Sequence, residues 1–412
     1  MEKINIVKLL VFLIGVFSLI FIPDFYGIKI VDFFLVLLLS LLFFNLLKSN
    51  IRFNVFLLIV YFVIIIFFLI TIIGATINTE SPIKSILVAI RYSIIVTIIF
   101  LLSNQSKQLK SYFRIFMKGF VVSVLINSLW IFADTIYYYT VGGFFSINEN
   151  LRFLVLGNDH GLTNRLHVSF MNSNIFLLRS AGIGWDPGGI ATALVIGFIY
   201  VYETSKSKKL LVIIALSIFL TLSTTGIVAF IVYLIFNFLY RKNKVLAMTS
   251  ISFLFLFVYI ISFIVKPSFV NYDDGKYRHL IYISKVFNIV YAKPTEMLFG
   301  YGYRGTGTFM NRYSELPKLQ NFYFQENQIP ESTLANLFLY GGILGALIQV
   351  VIFTLLLYYG NRLERSIIII LLFSYLGYTF ENFWTIFIVY MLLFIKVRNY
   401  ITYIHKKGET SC

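Results

Sequence analysis

Apolar runs of about 17–25 residues recur through almost the whole chain, and each is long enough to cross a bilayer as a helix. Hydrophobic residues make up 59% of the 412 residues and charged residues only 13%, and a soluble core does not need that much apolar sequence. The predicted fold class is therefore all-α: a polytopic integral membrane protein with about 12 transmembrane helices in one domain, residues 1–412.

The predicted spans follow the apolar runs, and the seventh, eighth, eleventh and twelfth are short. The first run is followed by Phe21-Ile22-Pro23-Asp24 instead of a small-residue cleavage site, so we expect a retained span rather than a signal peptide. The predicted spans lie at residues 7–22, 28–47, 53–74, 84–102, 115–140, 186–203, 209–222, 225–240, 245–265, 333–359, 366–380 and 382–397.

Basic residues cluster on one side of these spans. That side, which includes the N-terminus, carries about 20 Lys and Arg against about 4 Asp and Glu, whereas the opposite side carries about 14 of each. Cytoplasmic loops carry such an excess, so we expect both termini in the cytoplasm. The net charge of +16 reflects this asymmetry and implies neither nucleic acid nor an acidic partner. The clusters are Lys48/Arg52, Lys107/Lys110/Arg114/Lys118, Lys206/Lys208/Lys209, Arg241/Lys242/Lys244, Arg362/Arg365 and Lys396/Arg398/Lys406/Lys407.

Two long connections fall on the opposite, outer side, at residues 141–185 and 266–332. Loops of this length are uncommon unless they are functional. The second is predicted to contain an amphipathic interfacial helix, because its apolar residues recur at helical spacing with Arg278 off the stripe. The cytoplasmic connections are short, so we expect any chemistry on the outer face. The apolar stripe consists of Leu280, Ile283, Phe287 and Val290.

Several classes of protein are disfavoured by what the chain does not carry. An ion-coupled carrier usually keeps an ionisable group near the membrane midplane, whereas the charged residues of these spans lie near predicted boundaries. The sequence has no P-loop, no HExxH and no dinucleotide fingerprint. Its single cysteine, Cys412, excludes internal disulfides, and the histidines form no ligand set, so we expect no metal and no cofactor. The boundary residues are Asp32, Arg91, Asp134, Glu203 and Glu381.

Arginines in the outer loops are candidates for binding phosphate, because a guanidinium makes bidentate hydrogen bonds that lysine cannot. Most exposed arginines simply face water. Arg179 and Arg278 have more specific settings: Arg179 opens the turn-rich segment RSAGIGWDPGG, and Arg278 begins the predicted interfacial helix. The set is Arg152, Arg165, Arg179, Arg278, Arg304 and Arg312.

Glu331 is the strongest candidate for a general base. It lies where a polar loop gives way to the apolar helix of ESTLANLFLYGGILGAL, residues 331–347. Free N–H groups and the positive end of the helix dipole surround such a position, so the carboxylate has two interpretations. It is either a base or a group that only stabilises the helix end. Further along, Gly341, Gly342 and Gly345 flatten one helix face, which favours close approach of another backbone.

Four motifs stand out along the chain. They are LTLSTTGIVAF (Leu220–Phe230), RSAGIGWDP before a span, Arg278 followed by PTEMLFGYGYRG (Pro294–Gly305), and ESTLANLFLYGGILG. Taken together they resemble the O-antigen polymerase/ligase family, which contains the Wzy-type polysaccharide polymerases and the lipid A-core ligases. The resemblance extends over about residues 30–397, in order.

The resemblance implies metal-independent glycosyl transfer on the outer face of a bacterial cell membrane, with an undecaprenyl-pyrophosphate-linked donor. Arginines would hold the pyrophosphate, and a base would deprotonate the acceptor hydroxyl. Arg278 matches the family's arginine ahead of the Phe-Gly-x-Gly segment. Ligases of the family usually carry histidine where this chain has Glu331, and arginine where it has Thr225 and Gly226. Both departures favour a polymerase over a ligase.

The expected site therefore has Glu331 as base and Arg278 and Arg179 at the departing pyrophosphate. The expected partners are lipid-linked repeat units and membrane lipids, with a flippase and a chain-length regulator as associated proteins and no nucleic acid. A flippase-type transporter and a ligase of the same family are the alternatives.

The expected substrate-binding residues are Arg91, Arg165, Arg304, Asp186 and Tyr303. The aromatic residues considered for stacking on sugars are Tyr272, Tyr301, Tyr303, Phe322 and Tyr323, although such rings are more often interfacial anchors.

Overall fold

The computed structural model describes most of the predicted helices and short parts of the two long loops. The described residues are 5–20, 29–48, 53–79, 82–105, 109–142, 167–169, 176–178, 180, 182–183, 187–264, 293–303, 305, 333–374 and 383–409. Their helices are α1 (Ile6–Val16), α2 (Ile30–Lys48), α3 (Val55–Asn78), α4 (Ile83–Gln105), α5 (Leu109–Val141), α6 (Pro187–Thr204), α7 (Lys208–Leu220), α8 (Thr224–Lys242), α9 (Lys244–Ile264), α10 (Pro294–Phe299), α11 (Thr333–Tyr359), α12 (Arg362–Ser374) and α13 (Phe383–Glu409).

Seven helices in the described part of the chain are long and apolar enough to cross a membrane. The protein is thus an α-helical membrane protein. Three more apolar helices are shorter: Ile6–Val16, Gly188–Thr204 and Lys244–Leu254. The seven lie at Ile30–Lys48, Val55–Asn78, Ser85–Gln105, Leu109–Val141, Thr224–Lys242, Phe338–Tyr359 and Phe383–Ile404.

A short antiparallel pair of strands in the described part of the chain was not included in the all-α prediction. Strand β1 (His167–Ser169) pairs with β2 (Phe176–Leu178), with His167 opposite Leu178. It lies within the predicted outer loop 141–185. Two short runs with apolar residues flank Asn172-Ser173-Asn174, and such a pattern around turn-forming residues is typical of a hairpin.

The chain divides into two compact units. Unit 1 consists of Met1–Ile51 and Gln105–Tyr233, and unit 2 consists of Arg52–Asn104 and Leu234–Cys412. The chain passes from one unit to the other at three places, and the last of these, between Tyr233 and Leu234, falls within α8.

Unit 1 is organised around α5, against which α1, α6 and α7 pack. Two glycines let α1 and α5 meet backbone to backbone: a Cβ on Gly15 would overlap the carbonyl oxygen of Phe116, and one on Gly119 would overlap that of Phe12. Such close crossings of small residues are a common way for membrane helices to associate. On the α6 side, a Cβ on Gly197 would lie 2.9 Å from the methyl carbons of Val124.

Unit 2 has α3 and α11 at its centre, with α10 and α13 packed against both. Tyr61 on α3 stacks on Phe100 of α4 with ring centroids 4.5 Å apart, and its hydroxyl lies 3.1 Å from that of Thr97. At one end, Arg365 of α12 caps α11 by donating to the carbonyl oxygens of Leu357 and Tyr358, at 2.7 Å each. This arginine therefore satisfies carbonyls that the helix itself leaves unpaired.

Candidate functional site

A break in α11 organises the candidate site in unit 2. Gly342 has φ 59° and ψ −157°, which is outside the helical region, so α11 is two helices joined by a kink. The intrahelical bonds that would pair the carbonyls of Leu339 and Tyr340 with residues four positions on are lost there. An unpaired carbonyl is costly in a membrane, so such a kink requires partners from elsewhere.

The partners come from the glycine-rich segment that follows α10, within PTEMLFGYGYRG. The amide of Tyr301 donates to the carbonyl oxygen of Leu339 at 2.6 Å, and the amide of Gly302 donates to that of Tyr340 at 3.1 Å. Gly300 and Gly302 have φ of 68° and 69°, a region that glycine adopts without the penalty of a Cβ. The glycines of this motif are therefore needed for the backbone turn that caps the broken helix.

Asn78, the last residue of α3, fixes the same segment from the other side. Its side-chain amide donates to the carbonyl oxygen of Gly300 at 2.6 Å and to that of Thr295 at 3.4 Å. The residue is only 4% exposed. One amide thus joins the two ends of α10 to α3.

Glycines bring α3 and α11 into backbone contact with this segment and let a side chain of α4 approach it closely. A Cβ on Gly74 of α3 would overlap the carbonyl oxygen of Phe299, and one on Gly342 of α11 would overlap that of Leu298. On the α4 side, a Cβ on Gly302 would lie 2.5 Å from the hydroxyl oxygen of Ser85. The segment is therefore held between α3, α4 and α11, with no room for side chains at these positions.

Tyr303 lies inside this packing, which corrects the expectation that its ring stacks on a sugar. The ring is fully buried, between Tyr92 at a centroid distance of 5.4 Å and Tyr340 at 4.6 Å. Tyr301 is also fully buried. A sugar finds no accessible ring face here, and both tyrosines instead tie the segment to α4 and α11.

Arg91 is a predicted phosphate contact that the structure describes. It lies on α4, directly before Tyr92, and its side chain is partly buried with Nε and Nη2 shielded from solvent. The guanidinium is thus carried by the same helix turn that supports Tyr303. Arg91 was predicted from its place near a span boundary, and nothing in the sequence indicated that Tyr303 packs beside the same turn of α4.

A second group of motif residues comes together in unit 1. The turn between α7 and α8 is buried at Thr221 and Ser223, and its polar groups bond internally, as Gly226 N–H donates to Ser223 Oγ at 3.3 Å. A Cβ on Gly226 would overlap the Cβ of Ala191 on α6. The LTLSTTGIVAF motif therefore lies against the helix that RSAGIGWDPGG begins.

The RSAGIG part of that second motif is bound to α5. Ser180 donates its hydroxyl proton to Oδ2 of Asp134 at 2.7 Å, and the amide of Ile183 donates to Oδ1 of Asn127 at 3.0 Å. Sequence reasoning noted Asp134 only as a boundary residue and missed Asn127 and Asn78. The available signal was a polar side chain within an apolar run, as for Asn127 and Asp134, or just after one, as for Asn78.

Most of the predicted site lies outside the described residues. This holds for the general-base candidate Glu331 and for most of the predicted outer loops, including the interfacial helix at residues 280–290. The described α11 begins at Thr333, two residues after Glu331. The other predicted site residues that lie outside the described part of the chain are Arg278, Arg179, Arg165, Arg304 and Asp186.

Metal ligands and known relatives give no further assignment. Within the part of the chain that the structure describes, no three His, Cys, Asp or Glu side chains gather as a metal site. No protein-family model matches this chain, and no curated protein matches its sequence.

Proposed function

We propose that this protein is a polysaccharide polymerase, a metal-independent glycosyltransferase of the outer face of a bacterial cell membrane. The observation that carries the proposal is the pairing of Tyr301 and Gly302 with the broken end of α11. It joins two of the four motifs, PTEMLFGYGYRG and ESTLANLFLYGGILG, through backbone hydrogen bonds. The nearest residues of the two motifs, Gly305 and Glu331, are 26 positions apart, and yet the motifs bond to each other through their backbones, which is typical of a built site rather than of two unrelated loops.

The proposed reaction transfers the growing glycan from its polyprenyl pyrophosphate to a hydroxyl of the next lipid-linked repeat unit. Glu331 takes the proton of that hydroxyl, and the oxygen attacks the anomeric carbon of the donor sugar. The bond from this carbon to the phosphate oxygen breaks, and the polyprenyl pyrophosphate leaves with the bonding electrons. Arg278 and Arg179 neutralise the charge that develops on it.

The remaining substrate contacts are proposed for Arg91, Arg165, Arg304 and Asp186. A lipid-linked pyrophosphate requires cations near the headgroup level, and the three arginines come from segments assigned to the outer side, as does Asp186. Tyr303 is not among these contacts, since its ring is buried. Its proposed role is to support the segment that carries Arg304.

The proposed topology has about 12 spans, both termini in the cytoplasm and both long loops outside. Supporting it, α8 carries Arg241 and Lys242 in its last turn, and α9 begins at Lys244. Lys48 likewise ends α2. The cations at the C-terminal ends of α2 and α8 stabilise the helix dipole, and all of these cations follow the charge bias of cytoplasmic loops.

The experiment is a reconstituted polymerisation assay. Purified protein in liposomes receives lipid-linked repeat units of the source organism, and the products are separated by size. We expect a ladder of glycans that differ by one repeat unit, and Arg278→Lys, which keeps the charge but loses the bidentate fork, should shorten it. Transport of the lipid-linked units between leaflets without a ladder would indicate a flippase. Transfer only to a lipid A-core acceptor would indicate a ligase.

A further inference from the structure

Gln349 is a buried amide near the centre of an apolar helix. It lies on α11, close to the middle of the span Phe338–Tyr359, and its side chain is fully buried. A polar side chain at this depth has no bulk water to bond with, and an unpaired amide there is costly. Each hydrogen-bonding group of Gln349 therefore requires a partner inside the protein.

Tyr390 of α13 is the partner that the structure shows. Nε2 of Gln349 donates to the hydroxyl oxygen of Tyr390 at 3.0 Å, and Tyr390 is also fully buried. The tyrosine ring packs edge-on against Phe68 of α3, with ring centroids 6.3 Å apart. Since α3, α11 and α13 pack against one another, this polar pair lies inside unit 2.

The bond to Tyr390 satisfies only part of the amide. Oε1 of Gln349 is shielded from solvent and accepts no hydrogen bond within the part of the chain that the structure describes. Turning the amide around would let the Tyr390 hydroxyl donate to Oε1, but Nε2 would then lose its acceptor. One end of the amide is thus unpaired in either orientation.

The hydroxyl of Tyr390 has the complementary need. It acts as the acceptor for Gln349, and among the described contacts no group accepts its own proton. A donor and an acceptor thus remain on two side chains that already touch. A metal ion does not suit this pair, because one of the two groups offers a proton. A water molecule suits it, since water both accepts and donates, and buried waters commonly bond to polar groups that the protein leaves unpaired.

We propose that Gln349 and Tyr390 bind one water molecule inside unit 2. The water accepts the hydroxyl proton of Tyr390 and donates to Oε1 of Gln349, so that it joins α11 to α13. This joint lies about two turns beyond the kink at Gly342. Together with Arg365 at the end of α11, it fixes the half of the helix that follows the kink. The inference does not depend on the proposed function.

The test is a density map of the purified protein at a resolution that shows ordered water. The wild type should have a peak at hydrogen-bond distance, about 2.7–3.0 Å, from both Oε1 of Gln349 and the hydroxyl oxygen of Tyr390. Gln349→Met and Tyr390→Phe keep the bulk of each side chain but remove its polar atoms. Each variant should lose the peak, because a buried water needs at least two polar partners.

Thermal unfolding in detergent gives a second measurement. Replacing an isolated, half-satisfied pair by apolar groups would be neutral or stabilising, whereas removing a pair that is completed by water loses several hydrogen bonds. The double variant Gln349→Met/Tyr390→Phe should therefore unfold about 2 °C or more below the wild type.

Tyr61→Phe is the matched control, because the hydroxyl of Tyr61 finds its partners in the protein. It lies 3.1 Å from that of Thr97, which in turn donates to the carbonyl oxygen of Ser93 at 2.8 Å. This variant should keep the water peak. A wild-type map without the peak, a peak that persists in either single variant, or a double variant as stable as the wild type would each overturn the water site.

Discussion

The amide nitrogen of Tyr301 lies 2.6 Å from the carbonyl oxygen of Leu339, and this hydrogen bond closes the gap that the kink at Gly342 opens in α11. The carbonyl belongs to the last turn of the first half of that helix. In a membrane an exposed carbonyl there would have no water to bond with. The glycine-rich segment and the broken helix therefore depend on each other, which makes this junction a sensitive place for substitution.

Gly342→Ala should destabilise the protein. A Cβ at φ 59° costs about 1–2 kcal/mol, and here it would also overlap the backbone of Leu298. A backbone atom cannot move aside as a side chain can, so we expect a lower thermal midpoint in detergent and loss of polymer. Gly345→Ala is the control, since its Cβ would meet only ring carbons of Phe67, at 3.1 and 3.3 Å. Equal thermal midpoints of the two variants would show that the kinked backbone at Gly342 does not require glycine.

Asn78→Ala should cost about 1–3 kcal/mol, because it leaves the buried carbonyl of Gly300 without its side-chain donor. Asn78→Asp should be at least as damaging, since a carboxylate offers no proton to that carbonyl. Thermal unfolding of the purified variants measures both effects. Thr76→Val is the control, because Thr76 is exposed and its hydroxyl bonds to Ile72 of its own helix. An Asn78→Ala protein that melts with this control would show that the amide does not secure the segment.

How far the sequence predicts this fold is clear from two helices. The predicted span 366–380 begins four residues after the start of α12 at Arg362. Asn361 and Glu364 exchange hydrogen bonds as a capping box, at 2.7 and 3.0 Å, and this local signal overrides the edge of the apolar run. The second helix, α11, has the predicted bounds 333–359, but paired glycines were interpreted as a flat face and not as a break.

The candidate site was less predictable than the helices. Its contacts join residues far apart in the chain: Asn78 and Gly300 are separated by 222 positions. Periodicity and capping act within a few turns and carry no information about such pairs. The burial of Tyr303 was missed for the same reason, because its neighbours Tyr92 and Tyr340 come from other helices.

Arg365→Lys should destabilise the protein although it keeps the charge. The guanidinium makes three bonds at once, to the carbonyls of Leu357 and Tyr358 and, at 3.0 Å, to the hydroxyl of Tyr240. One ammonium group does not reproduce this fork, and hydrogen bonds from charged groups are worth about 1.5–3 kcal/mol each. The measurement is thermal unfolding in detergent. Arg241→Lys serves as the control, and similar melting of both variants would contradict the capping role.

The proposed topology predicts which side of the membrane single cysteines face. In a Cys412→Ser background, Val141→Cys at the exposed end of α5 should react with a membrane-impermeant thiol reagent in intact cells. Ser205→Cys, which is exposed just after α6, should react only after the cells are permeabilised. Labelling measured by a mass shift on a gel checks both. Labelling of Ser205→Cys in intact cells would place that end of α6 outside and reverse the assignment.

Glu331→Gln separates a general base from a helix cap. If Glu331 only stabilises the end of α11, the change removes a dipole interaction of roughly 0.3–1 kcal/mol and leaves polymerisation almost intact. If Glu331 is the base, the amide keeps the shape but accepts no proton, and the rate should fall by about 10²–10⁴. We expect glycans of single repeat units at a normal level of protein in the membrane. Ser332→Ala is the control for local damage and should polymerise normally. Glycan chains of near-normal length from Glu331→Gln would show that Glu331 only caps the helix. A reaction that needs this carboxylate as its proton acceptor would be far slower in the Gln variant.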